Sequence, residues 1–203
     1  LPALADFEDS EWIDVHVPHD WAVNLPFAKP SGSQPEQSGA AHGFKALGRD
    51  YPENSVGWYR RTLAINPEDE GRAIWLEFDG VFRDARIFVN GFQAHREASG
   101  YAPFSVNIAD FLDYSGGPNI LAVRVDASLG EGWFYEGAGI YRDARLIKTN
   151  AVHVPIWGIC VRSLIGPVDA TVSIMVQVEN AGLSAAEISL SHTIIDPEGR
   201  PVG

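Results

Sequence analysis

The chain has 203 residues, 45% of them hydrophobic, with a formal net charge of −12 and an isoelectric point near 4.8. That length fits one large domain or one and a half ordinary ones, with enough apolar content for a real core. The acidic balance argues against nucleic acid and against an anionic membrane face, because both repel it, and no apolar run reaches the roughly eighteen residues of a membrane helix.

In chain order, the N-terminal stretch "LPALADFEDSEW" has neither a basic n-region nor an apolar h-region, so no signal peptide is expected in this chain. It also lacks an initiator Met and reads as an excised or processed piece. Next comes "HVPHDW", His16 to Trp21. Pro18 fixes its own φ and biases Val17 to extended structure. His19 and Asp20 then project from a strand end beside Trp21. They serve either as a polar anchor next to an aromatic platform, as a sugar site requires, or as a cap on the turn. Residues 24–57 contain "KPSGSQPEQSGAAHG", without periodicity; so long a loop is usually functional or mobile.

Strand patterns then dominate. "GWYRRTLAI" turns Leu63 and Ile65 inward, and "RAIWLEFDG" does the same with Ile74, Leu76 and Phe78. "ARIFVNGFQAH" puts Asn90-Gly91 between apolar runs, a pair that tolerates the positive φ angles of a tight hairpin. Ser99 in "ASGYAPF" lies in a loop without the setting of a nucleophile. "NIADFLDYS" predicts one helical turn capped by Asn107. The glycines of "YSGGPN" make a turn and not a phosphate cradle, since no strand-to-helix transition follows. "NILAVRVD" sets Leu121, Val123 and Val125 on one face. After an irregular stretch at 127–141, Arg142 leads into a strand and is expected to pair with an acid inside the fold. Near 149–153 the pattern changes to a linker. Beyond it, Cys160 in "IWGICV" reads as a buried small hydrophobe; as the sole cysteine it excludes an internal disulfide. "ATVSIMVQV" and "EISLSHTII" supply further strands.

Many short strands between Gly/Pro turns indicate an all-β fold, a sandwich or jelly roll. We expect a first domain at 1–150 and a second at 151–203. The second has three or four strands where an immunoglobulin-type sandwich needs about seven, so it is expected to be cut short at Gly203. Its open edges and exposed apolar face predict dimerisation or other self-association, or partial disorder.

The chemistry concentrates in "EGWFYEGAGIYRDARL", residues 131–146. Glycoside hydrolysis uses two carboxyl groups about 5–5.5 Å apart in retaining enzymes and about 6.5–9.5 Å apart in inverting ones. Glu131 and Glu136 stand five residues apart on a Gly-rich loop, which enforces neither distance, so a binding role is favoured over a catalytic one. Metal is not expected: only His16 and His19 are close, on opposite faces of a strand, and there is no Cys–His cluster.

Taken together, "VPHDW", "GWYRRTL", "LEFDGVFRDARIFVNG", "SGYAPFSVNIADFL", "NILAVRVD" and "EGWFYEGAGIYRDARL" follow one order. The series, over about residues 10–150, resembles the N-terminal sugar-binding domain of glycoside hydrolase family 2, and is most like its bacterial β-galactosidase branch. The part after residue 151 resembles the start of the family's immunoglobulin-like domain. The resemblance implies a jelly-roll sandwich, then an immunoglobulin-like sandwich, then a (β/α)8 barrel that holds both catalytic glutamates at its C-terminal face. No catalytic residue is therefore expected in this chain, and no cofactor. It further implies that loops of the jelly roll rim the sugar subsite. Asp20 would contact a sugar hydroxyl, with His19 or Trp21 in support, and Glu131 or Trp133 would line the subsite from the second loop. The family's commoner "RWYPG" is "WFYEG" here, which puts the roles of Trp133 and Glu136 in question. The implied partners are a carbohydrate, with a β-galactoside favoured, and the barrel of the same parent chain, with a homo-oligomer allowed. The sequence does not choose between a bacterial cytoplasm and periplasm. A stand-alone carbohydrate-binding module is the alternative, with Trp12, Trp21, Trp58, Trp75, Trp133 and Trp157 as its stacking candidates.

Overall fold

The computed structural model describes residues 1–28, 44–129 and 137–202. The chain forms two compact units, Leu1–Thr149 and Asn150–Gly203. Both are built from antiparallel strands.

The first unit opens with a small ladder of β1 (Phe27–Ala28) and β2 (Phe44–Lys45) and a single helical turn, α1 (Pro52–Ser55). Its body is two sheets. One has the order β3-β8-β5-β6, from β3 (Val56–Leu63), β8 (Asn119–Asp126), β5 (Ala85–Val89) and β6 (Phe92–Glu97). The other has the order β7-β4-β9, from β7 (Phe104–Asn107), β4 (Ala73–Phe78) and β9 (Ala144–Thr149). Their apolar faces meet in one core. Leu63, Ile87, Val89, Val123 and Val125 come from the first sheet, and Ile74, Leu76, Phe78 and Val106 from the second. This all-β sandwich is the fold class that the strand pattern predicts.

Several local expectations hold in detail. Asn90 and Gly91 have φ of 50° and 87° between β5 and β6, and Asn90 also works inward. Its side-chain oxygen accepts the Ile120 N–H at 2.8 Å, and its amide donates to the buried Asn119 at 2.9 Å. A satisfied amide pair of this kind is tolerated in a core where an orphaned one is costly. The "NIADFLDYS" turn is the 3₁₀ segment Ala109–Phe111, whose N-cap is Ile108 and not the expected Asn107; the Asn107 side chain accepts the Ala109 N–H at 3.0 Å just ahead of it. Leu121, Val123 and Val125 face the core, and Ile120 and Ala122 on the other face of β8 are buried as well. The N-terminal segment is tied to the outer face of β3 by Arg60, which pairs with Asp9 at 2.8 Å and donates to the carbonyls of Pro2 and Leu4.

The second unit contains β10 (Val152–His153), β11 (Ile159–Ile165), β12 (Ala170–Val176) and β13 (Glu179–Asn180). β11 pairs with β12 and β10 with β13. The alternation in "ATVSIMVQV" holds from Ile174 onward: Ile174, Val176 and Val178 are less exposed than the residues between them, whereas Val172 is exposed.

Three expectations are corrected. "EISLSHTII" is not a strand; among the described residues, its segment makes one isolated bridge, Ile195 to Pro201. Its alternation lacks a neighbouring strand to hydrogen-bond. Cys160 is exposed, because β11 lies against a single partner and neither face of it is covered. The arginine that pairs with acids at the start of β9 is Arg145, which grips Asp79 with both nitrogens at 2.9 and 2.8 Å. Arg142 lies over the Tyr141 ring instead and reaches the backbone carbonyl of Asp79.

Candidate functional site

"VPHDW" and the residues just after the second loop meet in space. The His19 N–H donates to the Ile140 carbonyl at 2.7 Å, and the Trp21 N–H to the Ala138 carbonyl at 2.9 Å. As the chain rises from 19 to 21 its partner falls from 140 to 138, so the two segments run antiparallel. From the other side, Phe82 and Gly139 exchange a pair of backbone hydrogen bonds, both 2.9 Å. Segment 138–140 is thus held between two others, and Ala138 and Ile140 are buried there.

Asp20 links both strands of this small ladder. Its Oδ1 accepts the Ala22 N–H at 2.8 Å, which caps the 3₁₀ turn Trp21–Asn24. The same oxygen accepts the Ala138 N–H at 2.9 Å. Short acceptors such as Asp suit this position because they satisfy a helix-start N–H that has no partner in the turn.

Trp21 is fixed at both ends. Its indole N–H donates to the Asn54 carbonyl at 2.7 Å. Its ring lies on the backbone of Gly57, where a Cβ would stand 2.7 Å from the ring. Only glycine fits beneath it. Gly139 is a second such position: its φ is +133°, and a Cβ there would lie 2.5 Å from the His19 carbonyl oxygen.

His19 and Tyr59 form the remaining tie. The His19 Nδ1 and the Tyr59 hydroxyl are 2.8 Å apart, with the rings edge to face at 5.7 Å. Burial, helped by the negative charge of Asp20, pushes the Tyr59 phenol up to about 12, so it stays protonated at neutral pH. The sequence motifs mark Gly139 as a tight-turn glycine, which its positive φ bears out, but they assign no role to Tyr59, Asn54 or Gly57. No spacing rule could supply one, since the partners lie tens of residues apart.

The structure therefore brings His19, Asp20 and Trp21 together as one half-buried group. Glu131 and Trp133, with Glu136, lie outside the described residues. Among the described residues no cluster of His, Cys, Asp or Glu could hold a metal ion, and no helix is long and apolar enough to cross a membrane. A cleft of about 440 Å³ opens between the edge strands β3 and β9; Tyr59 and Ile140 of the group above are in its wall, with Val17, Leu63, Leu121 and Leu146. His19, Asp20 and Trp21 are not part of its wall.

Comparison with known proteins gives this geometry a context. The family described as "Glycosyl hydrolases family 2, sugar binding domain" matches residues 9–150. The chain is 34% identical, over 98% of its length, to the beta-galactosidase BoGH2A of Bacteroides ovatus, and covers 22% of that protein. A putative beta-glucuronidase of Formosa agariphila is 29% identical over 73% of the chain, which covers 13% of it. Among solved structures, a beta-glucuronidase of Bacteroides uniformis superposes on the whole chain with a TM-score of 0.78 and 28% identity, 23% of its own length being covered. A beta-glycosidase from Bacteroides vulgatus gives 0.74 and 28% over 88% of the chain and 22% of its own length. The chain thus spans between 13% and 23% of the length of these relatives. On the family match, the whole-length identity and the shared fold, this chain belongs to glycosyl hydrolase family 2.

Proposed function

We propose that the chain is the non-catalytic N-terminal part of a family 2 glycosidase that acts as a β-galactosidase. Residues 1–150 form its sugar-binding jelly roll, and 151–203 the first part of an immunoglobulin-like sandwich. The carbohydrate is cleaved in a (β/α)8 barrel of the same parent chain. The observation that carries this reading is the ladder between 19–21 and 138–140. It ties the "PHDW" turn to the exit of the second motif-bearing loop, as a rigid rim requires. His19, Asp20 and Trp21, with Glu131 and Trp133 of that loop, make up the rim. Its contacts with the sugar contribute binding energy, away from the reacting bond, that the barrel uses at the transition state. A galactoside is favoured over a glucuronide on two grounds. The relative aligned over 98% of the chain is a beta-galactosidase, and a net charge of −12 disfavours the approach of an anionic sugar.

The test compares the full-length enzyme with the 203-residue chain on nitrophenyl β-galactoside and nitrophenyl β-glucuronide. The full-length enzyme should prefer the galactoside, and the chain alone should turn over neither. Preference for the glucuronide would overturn the substrate, and turnover by the chain alone would overturn the non-catalytic assignment. Calorimetric titration of the chain with galactose covers the alternative: a stand-alone binding module would show a dissociation constant of roughly micromolar to millimolar.

A further inference from the structure

Trp21 and His19 differ in what their polar atoms already do. The single N–H of Trp21 is engaged by Asn54. His19 uses Nδ1 on Tyr59, while its second ring nitrogen, Nε2, has no hydrogen-bond partner among the described residues. Tyr59 itself stands on the edge strand β3, in register with Val123 of its neighbour β8, and packs against the central core. Its hydroxyl touches both segments of the small ladder. It lies 3.4 Å from the Ile140 N–H, which donates to it, and 3.5 Å from the His19 carbonyl.

We propose that Tyr59 is the positioning residue of the "PHDW" turn: its hydroxyl fixes the His19 imidazole so that Nε2 presents an N–H to a hydroxyl oxygen of the bound sugar. The proposal rests on the glycosidase reading above. A neutral phenol has one hydrogen to donate and two lone pairs. The Ile140 N–H uses one lone pair. The phenol hydrogen goes to the nearest acceptor, Nδ1 at 2.8 Å, rather than to the carbonyl at 3.5 Å. Imidazole that accepts at Nδ1 carries its own proton at Nε2, so the tautomer is set by the hydrogen bond on the opposite side of the ring. A donor already held in place avoids the ordering cost that a loose side chain meets on binding.

The test uses the full-length enzyme. Tyr59→Phe keeps the ring and removes the hydroxyl. It should raise KM for nitrophenyl β-galactoside by about 5- to 20-fold, the scale of one lost hydrogen bond, with kcat held within about twofold. His19→Ala should do the same. The double variant should be no worse than His19→Ala alone, because residues acting through one contact are not additive. His19→Gln, whose amide N–H reaches about as far as Nε2, should recover part of the loss. Selective ¹⁵N-histidine labelling supplies a readout independent of turnover: the His19 Nδ1 resonance should report an acceptor nitrogen in the parent and shift in Tyr59→Phe. An unchanged KM, additive losses, or an unshifted resonance overturns the positioning role. A parent enzyme that hydrolyses no glycoside refutes the functional reading and the sugar contact with it, whereas the nitrogen spectrum still decides whether Tyr59 sets the tautomer.

Discussion

The two units make opposite use of the same strand-forming pattern. In Leu1–Thr149, alternating apolar residues of two sheets face each other, and Ile74, Phe78, Ile87 and Val123 are almost wholly buried. In Asn150–Gly203, β12 alternates as well and β11 is apolar, but Ile159, Val161, Leu164 and Met175 are more than half exposed. Alternation therefore specifies a strand with two unlike faces and does not make a core. A core needs a second layer to receive the apolar face. The first unit adds polar ties at places where burial alone would not fix the chain, such as Asp20 across the small ladder and Asp69 beneath Lys148.

This contrast can be tested by substitution, with denaturant unfolding as the common measurement. Phe78→Ala should cost the most, about 3–5 kcal/mol, because its ring stacks on Phe104 at 5.0 Å within the central core. Gly139→Ala should follow at about 2–3 kcal/mol, since its φ of +133° excludes a side chain whatever the space. A cost under about 0.5 kcal/mol there would show that the ladder between 19–21 and 138–140 is loose in solution.

Asp69→Asn comes third, at about 1–2 kcal/mol at neutral pH. Asp69 is buried, accepts the Asn66 N–H at 2.9 Å and pairs with Lys148 at 2.5 Å. The Asn66 N–H, then Lys148, hold its carboxyl below the usual carboxylate range. A depressed folded value means that its stabilisation is present above the unfolded value of about 4 and is lost as pH falls through the lower folded value. The gap between parent and Asp69→Asn should accordingly close as pH drops below about 4. A gap that persists in acid would mean that the pair does not act through its charge.

Ile174→Ala should be the smallest, under about 1 kcal/mol. Trp157, 85% exposed, offers a fluorescence probe in the second unit, and Trp75 one in the first. A loss of 3 kcal/mol or more at Ile174 would break the comparison, because a loss of that size belongs to a closed core.

How much of this was legible in the sequence follows from the range of each interaction. The hairpin at Asn90-Gly91, the inward sets of β4 and β8, and the turn after Asn107 depend on neighbours within a few residues, and periodicity and turn chemistry expose them. "EISLSHTII" has the pattern of a strand but finds no ladder, and Cys160 has apolar neighbours in sequence but no layer above it. Both depend on tertiary partners that no local rule contains. At the candidate site, "PHDW" was legible as a polar group beside an aromatic ring. Its dependence on Ala138, Ile140 and Tyr59 was not, because those contacts join residues 40 or more positions apart. The assignment of Arg142 as the acid-paired residue missed by three residues: Arg142 precedes β9, whereas Arg145 within it faces Glu77 of β4.

The flat contact of Trp21 with Gly57 carries one more consequence, for how this fold can diverge. Each residue is admissible only because of the other. An indole at 21 forbids any side chain at 57, and a side chain at 57 would evict the indole, together with its hydrogen bond to Asn54. Positions 21 and 57 are therefore a single inherited choice, and a lineage that changes one has to cross a clash or a void before it can change the other.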